Sequence, residues 1–132
     1  MSEDQWLAAF LAARLDEDEI TALTALSWQE AGSAVYVAIY ASTWQALNDY
    51  DPERALRDIA AKRTILEMYT STLALVEHPL VIEEGQFTGK ISVQDYMDAK
   101  RELAVLRPAV TALAAIWSDH PDYGQERKAV SQ

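Results

Sequence analysis

The sequence predicts a mainly α fold, with three long helices in a bundle-like single domain over residues 1–132. Two observations predict it. Apolar residues recur at intervals of three, four and seven along three long stretches, which is the pattern of a helix with one buried face. Half of the residues are hydrophobic and alanine is abundant, so the chain has both a core and a helix-favouring composition.

The first helix is predicted over about residues 4–27, after a capped and acidic start at Ser2. Its acidic block lies at residues 16–19. On a helix, Asp16 and Glu19 share a face and Asp18 points elsewhere, so one turn brings only two carboxylates together. A hard metal cation needs more oxygens than that, so the block predicts a solvated face.

Residues 28–40 predict a short strand or hairpin. Residues 33–40 are rich in β-branched and aromatic types and follow Gly32, which favours a strand that pairs with the Trp28 segment. A helix remains the alternative for residues 33–41, since Tyr36, Tyr40 and Trp44 recur every four positions. A short helix is expected over about residues 42–48.

The second helix is predicted from Asp51 to His78 and organises the rest of the chain. Asp51 and Pro52 form a helix start, and the residue before Pro79 is pushed out of helical geometry. Charge pairs at spacing four are expected along it: Glu53/Arg57, Asp58/Lys62 and Arg63/Glu67. No charge occurs from Met68 to Val76, so this half is expected to be covered on more than one side.

A loop or small hairpin containing Gly85 and Gly89 follows, and then a third helix from Ser92 to about Ser118. Pro108 lies inside that helix and should kink it near Ala104. Residues 124–132 are expected to form a loose polar tail.

The net charge of −10 argues against direct nucleic-acid binding, which requires a basic face. No apolar run is long enough to span a membrane, and the start lacks the basic segment of a signal peptide. The absence of cysteine excludes disulfides and thiolate metal sites. These features favour a cytoplasmic protein, with a protein partner or a homodimer left open by the four tryptophans.

Three segments, FLAARLDEDE, DPERALRDIAAKRTILE and WSDHPDY, resemble an uncharacterised family of small acidic proteins from Streptomyces-type actinobacteria and their phages. The family's pattern is FLxARLDEDE, DPxRVLRExxAKRxIL and ADHPDY, and the match covers about a third of the chain. This chain has Tyr50 where a His is usual, lacks the Cys pair of some members and has a different ending. The resemblance implies an actinobacterial or actinophage source and no particular activity.

His120 is the one candidate for catalysis, with Asp119 and Asp122 beside it. The same residues also form a helix stop, with His near the last carbonyls and Pro121 blocking continuation, and this structural interpretation is preferred. A two-histidine site with His78 would lack a third ligand, so neither a metal site nor a cofactor is predicted.

Four cations on the second helix are candidates for binding an anion: Arg54, Arg57, Lys62 and Arg63. Three of them have an acid at spacing four, so a solvated ion-pair face is the preferred interpretation.

The sequence favours a non-enzymatic protein-interaction or regulatory module, because no complete catalytic set can be assembled from it. The alternative is a small hydrolase-like or metal-dependent enzyme centred on His120. A weaker alternative is mimicry of nucleic acid, which requires the acids of the first helix to form a continuous surface.

Overall fold

The computed structural model describes residues 1–31, 50–78, 80–83 and 86–123. Within them the chain forms three long helices and a two-stranded hairpin. The elements are α1 (Glu3–Ala31), α2 (Pro52–Glu77), β1 (Leu80–Glu83), β2 (Gln86–Lys90) and α3 (Val93–Ala114), followed by a 3-10 turn at Ala115–Trp117. The predicted mainly α class is confirmed.

The start of α1 is a complete capping box. The Gln5 backbone N–H donates to the Ser2 hydroxyl at 3.1 Å, and the Ser2 N–H donates to the Gln5 side-chain carbonyl at 3.1 Å. Two of the amides that a helix start leaves without backbone partners are thereby satisfied.

The predicted caps of the other two helices are also confirmed. The Arg54 N–H donates to the Asp51 carboxylate at 3.1 Å at the start of α2. The Asp95 N–H donates to the Ser92 hydroxyl at 3.0 Å at the start of α3. Pro108 lies inside α3, which is one uninterrupted element through Ala114.

The chain divides into two compact units. The first contains Met1–Ala12 and Thr64–Gln132, and in it the three long helices pack against each other. α1 contributes its first three turns, α2 its second half and α3 its whole length. The core of this unit is apolar and includes Trp6, Leu7, Phe10, Leu11, Leu66, Tyr69, Leu73, Leu103, Leu106 and Val110.

The second unit is Ala13–Arg63 and contains the rest of α1 and the first half of α2. Its buried apolar residues among those described are fewer and smaller: Leu15, Ala22, Ala25 and Ile59. Gln29 donates a side-chain N–H to the Tyr50 carbonyl at 3.2 Å, which ties the two described segments of this unit together.

The hairpin of β1 and β2 is antiparallel and lies between α2 and α3 in the chain. Its register pairs Leu80 with Lys90 and Val81 with Gly89, then shifts so that Ile82 pairs with Phe87. The shift leaves one extra residue in β2, which is a β-bulge. The small hairpin predicted here is therefore confirmed.

The strand predicted near residues 28–40 is wrong at its beginning. α1 continues through Ala31, so Trp28 is helical. The buried stripe through Ala22 and Ala25 continues at the same spacing to half-buried Trp28, so the helical pattern extends past the predicted end at residue 27. Residues 33–41, where strand and helix were both left open, and the short helix expected over about residues 42–48 lie outside the described residues.

Candidate functional site

Asp4 on α1 is clamped by two other helices of the first unit. One carboxylate oxygen accepts hydrogen bonds from the Tyr69 hydroxyl of α2 and from Arg107 Nε of α3, the latter at 2.8 Å. The other accepts from Arg107 Nη2 at 3.0 Å. This two-pronged contact between guanidinium and carboxylate is the strongest ion-pair geometry available to a protein.

The clamp fixes the protonation states of its members. The hydrogen bond from Arg107 holds the pKa of Asp4 below its usual value, although partial burial opposes it. Burial raises the pKa of Tyr69, and the Asp4 carboxylate raises it further. Asp4 therefore stays ionised and Tyr69 stays a donor at neutral pH, which suits a structural contact between helices rather than proton transfer.

His120 lies where the chain turns after the 3-10 segment. Its ring Nδ1 accepts a hydrogen bond from the Asp122 backbone N–H at 3.1 Å, and the backbone N–H of His120 donates to the Trp117 carbonyl at 2.9 Å. The ring meets Phe10 edge to face at a centroid distance of 6.0 Å. Phe10 also contacts Tyr123 at 5.4 Å. The imidazole thus contacts backbone and an aromatic cluster, as a helix stop requires.

The two acids beside His120 lie differently with respect to its ring. Asp119 is exposed, and the Asp122 carboxylate lies 3.9 Å from His120 Nδ1, the nitrogen that already accepts the backbone N–H. Among the described residues, no group of three potential His or carboxylate ligands is close enough to hold a metal ion.

The four predicted anion-binding cations have different surroundings. Lys62 donates to Asp58 at 2.7 Å, which confirms the predicted pair at spacing four. Arg54 and Arg57 are exposed, and Arg57 makes no ion pair to any described residue, so the predicted pair with Glu53 is not formed. Arg54 borders a cavity of about 360 Å³ together with Tyr50.

Arg63 departs from the expected pairing with Glu67. Its guanidinium contacts Asp16 at 2.7 Å and also Glu19, both on α1. The sequence correctly placed Asp16 and Glu19 on one face, but a guanidinium from α2 occupies that face. Two convergent carboxylates match the fork of an arginine better than a single Glu one turn away does.

An uncharged exposed face runs along the second half of α2. Met68 is 47% exposed and Leu75 is 46% exposed, and Ser71 and Ala74 between them are exposed too. Their spacing of three, three and one places them on one side of the helix. The prediction that this half is covered on several sides is wrong, because its charge-free run includes a solvent-facing stripe. We call Met68, Ser71, Ala74 and Leu75 the docking face.

A family profile described as a family of unknown function (DUF6221) matches residues 4–128. The chain belongs to this family. Neither a curated protein nor a solved structure matches it significantly. As a DUF6221 member the chain inherits no assigned activity, so the roles of its residues rest on their own geometry. Among the described residues, no helix combines the length and apolar character needed to cross a bilayer.

Sequence reasoning missed the central contacts of this DUF6221 chain. Asp4 was read only as part of an acidic helix start, and Arg107 was not singled out. Their sequence separation is 103 residues, so no local spacing rule connects them. A signal was present in Tyr69, a polar side chain within a buried stripe, because a buried hydroxyl requires a partner.

Proposed function

We propose that this protein is a non-enzymatic protein-interaction or regulatory module, and that it contacts its partner through the docking face. The observation that carries the proposal is the exposure of Met68 and Leu75 within nine consecutive residues without a charge. The solvent-facing side of a surface helix normally carries charged and polar residues. An exposed apolar stripe on a strongly charged protein favours a contact surface.

The net charge indicates the chemistry of the partner. Two copies of a chain with net charge −10 repel each other, which disfavours pairing of the docking face with itself. A different protein, with apolar side chains at the centre of its contact and lysines or arginines at its rim, is attracted instead. Exposed Glu67 beside Met68 supplies an acid for that rim.

A cytoplasmic location and an origin in actinobacteria or their phages are parts of the proposal. The absence of cysteine supports a reducing compartment, and the segment resemblance supports the source. The acidic composition supports the expectation that the protein does not bind nucleic acid directly.

Site-specific photo-crosslinking tests the docking face directly. A photoreactive phenylalanine analogue replaces Met68 in one variant and Val105, 74% exposed on α3, in the control. In the cells that make the protein, we expect one dominant crosslinked partner from position 68. Position 105 should give no crosslinked product of the same mass. The purified pair should then form a complex of defined stoichiometry by light scattering.

Charge insertion provides the matched loss-of-binding experiment. The double variant M68K/L75K should lose the purified partner, whereas V105K should retain it, because a lysine ammonium cannot enter an apolar contact without losing its hydration. If M68K/L75K and V105K bound the partner equally well, the docking face would not be the contact surface. A crosslink to a second copy of this chain would replace the partner with a homodimer.

The enzyme alternative has less support from the geometry. The bond from the Asp122 N–H occupies His120 Nδ1, and the ring packs on Phe10. The mimicry alternative requires free, evenly spaced acids along α1. Asp4 is bound by Arg107, and Asp16 and Glu19 are bound by Arg63, so three of those acids are neutralised.

A further inference from the structure

Two cavities border the second half of α1 in the second unit. A polar cavity of about 320 Å³ is lined by Asp18, Thr21, Tyr50, Ala55, Asp58 and Ile59. An apolar cavity of about 320 Å³ is lined by Ile20, Thr21, Thr24, Ala25, Trp28 and Tyr50. Thr21 and Tyr50 line both cavities, so the two lie side by side along α1, and together they offer a polar end and an apolar end.

The face of α1 sets the length of this site. Asp18, Thr21, Ala25 and Trp28 are spaced by three, four and three positions, so they share one side of the helix. Trp28 follows Asp18 by ten positions, which corresponds to about 15 Å along the axis at 1.5 Å per residue. A small organic molecule that lies along the helix can therefore touch both ends.

The polar end has an acceptor ready for a cation. The Asp18 carboxylate makes no hydrogen bond or ion pair to any described residue, whereas Asp58 already binds Lys62 at 2.7 Å. Partial burial raises the pKa of Asp18; nearby Lys62 opposes the rise, and Glu17 and Asp58 add to it. A bound cation would replace the water that this carboxylate has lost.

At the apolar end, the described residues of α1 offer few hydrogen-bonding groups to a ligand. The Thr21 hydroxyl donates to the Glu17 carbonyl at 3.2 Å, and the Thr24 hydroxyl donates to the Ile20 carbonyl at 2.7 Å. Since both hydroxyl donors turn back to their own helix, this wall presents mainly carbon. Ile20, 66% exposed, and the half-buried Trp28 provide apolar and aromatic surface.

We propose that this site binds a small amphipathic amine, with its ammonium group at Asp18 and its apolar tail along α1 towards Trp28. The two carboxylates that line the polar end, Asp18 and Asp58, disfavour an anion there. Arg54 lies outside this lining, on the neighbouring cavity that it borders with Tyr50. A hard metal ion would require more converging oxygens than the described residues bring together, and it would leave the apolar end unused. Pockets that bind organic ligands typically combine apolar walls with a few fixed polar groups, as here.

Titration of the isotope-labelled full chain with phenylbutylamine, followed by NMR, tests the site. We expect saturable shifts of the amides of Asp18, Thr21 and Thr24 and of the Trp28 indole. The neutral analogue phenylbutanol and the anion phenylbutyrate should bind more weakly, since only the amine pairs with the carboxylate. Equal affinity for amine and alcohol would overturn the ammonium assignment.

Two variants separate the ends of the site. D18N should weaken amine binding about tenfold, the effect of losing one charged contact. E30Q removes the same charge from an exposed position of α1 outside the site and should leave the affinity unchanged. T24L changes an exposed residue and fills the apolar end, so it should weaken the binding of phenylbutylamine. Any NMR shift of the Asp18 amide caused by methylamine should stay unchanged.

The proposal is overturned if D18N and E30Q bind phenylbutylamine equally, or if the shifts of the unmodified chain fall outside residues 18–28. Absence of saturable binding by the unmodified chain would overturn it as well. If D18N loses the dispersed spectrum of a folded chain, the T24L result decides the question alone.

Discussion

Asp4 and Asp18 lie on the same helix and have opposite environments. Asp4 is held by Arg107 and Tyr69, and its pKa is lowered. Asp18 is partly buried beside a cavity and makes no hydrogen bond or ion pair within the described part of the chain, and its pKa is raised. In the first case ionisation stabilises the folded chain, and in the second it works against it. An acid on this acidic helix thus contributes according to its partner rather than its position.

Removal of the better-held acid should have the largest effect. D4A should lower the free energy of unfolding by about 2 kcal/mol, because a buried phenol and a guanidinium lose their charged acceptor. Urea denaturation followed by circular dichroism measures it. The control E102A, at an exposed acid of α3, should stay within about 0.5 kcal/mol of the unmodified chain. Similar losses in both variants would show that the clamp contributes nothing specific.

The pH dependence of this difference tests its electrostatic origin. The lowered pKa of Asp4 means that its stabilisation is fully present above the usual value of 3.8 and disappears as the pH falls through the lower folded value. The stability gap between the unmodified chain and D4N should therefore be largest at neutral pH and should shrink as the pH falls below 3.8. A gap that stays constant over the titration would assign it to packing.

Arg63 should show a smaller effect, since its ion pairs are more exposed than those of Asp4. R63K should lower the free energy of unfolding by roughly 0.5 kcal/mol, because a lysine cannot hold Asp16 and Glu19 with a planar fork. R57K on the same helix is the matched control. Added salt should reduce the difference between R63K and the unmodified chain, and insensitivity to salt would argue against an ion-pair origin.

The smallest expected effect has the opposite sign. The raised pKa of Asp18 means that the folded chain binds this proton more readily than the unfolded chain, so its destabilisation is absent below the usual value of 3.8 and complete above the folded value. D18N should raise stability at neutral pH by roughly a few tenths of a kcal/mol. E30Q provides the comparison in thermal melts. A lower melting temperature for D18N alone would contradict the assigned environment.

Local features of the fold were predictable because their causes are local. The caps at Asp51 and Ser92 depend on three or four adjacent residues, and the glycines of residues 79–91 favour a hairpin. The core stripe of α1 follows from its spacing alone. The continuation of α1 past residue 27 was missed because β-branched and aromatic residues just beyond it favoured a strand.

The contacts that distinguish the site were not predictable, because they join distant segments. The sequence predicts that Asp16 and Glu19 share one face, but it does not identify Arg63 as their partner. The absence of charge from Met68 to Val76 was interpreted as burial, although it describes a face that remains exposed. A run of residues without charge shows only that the surface is uncharged. It does not show whether other protein segments or solvent cover that surface.

The pairing of Asp4 with Arg107 also has a consequence for biosynthesis. After Asp4, the ribosome must add 103 further residues before its partner Arg107 exists. At roughly 5–20 residues per second, that interval is on the order of ten seconds. During it the apolar side of the first turns, with Trp6 and Phe10, lacks its completed core. The fold of the first unit can therefore be completed only after its third helix has been translated.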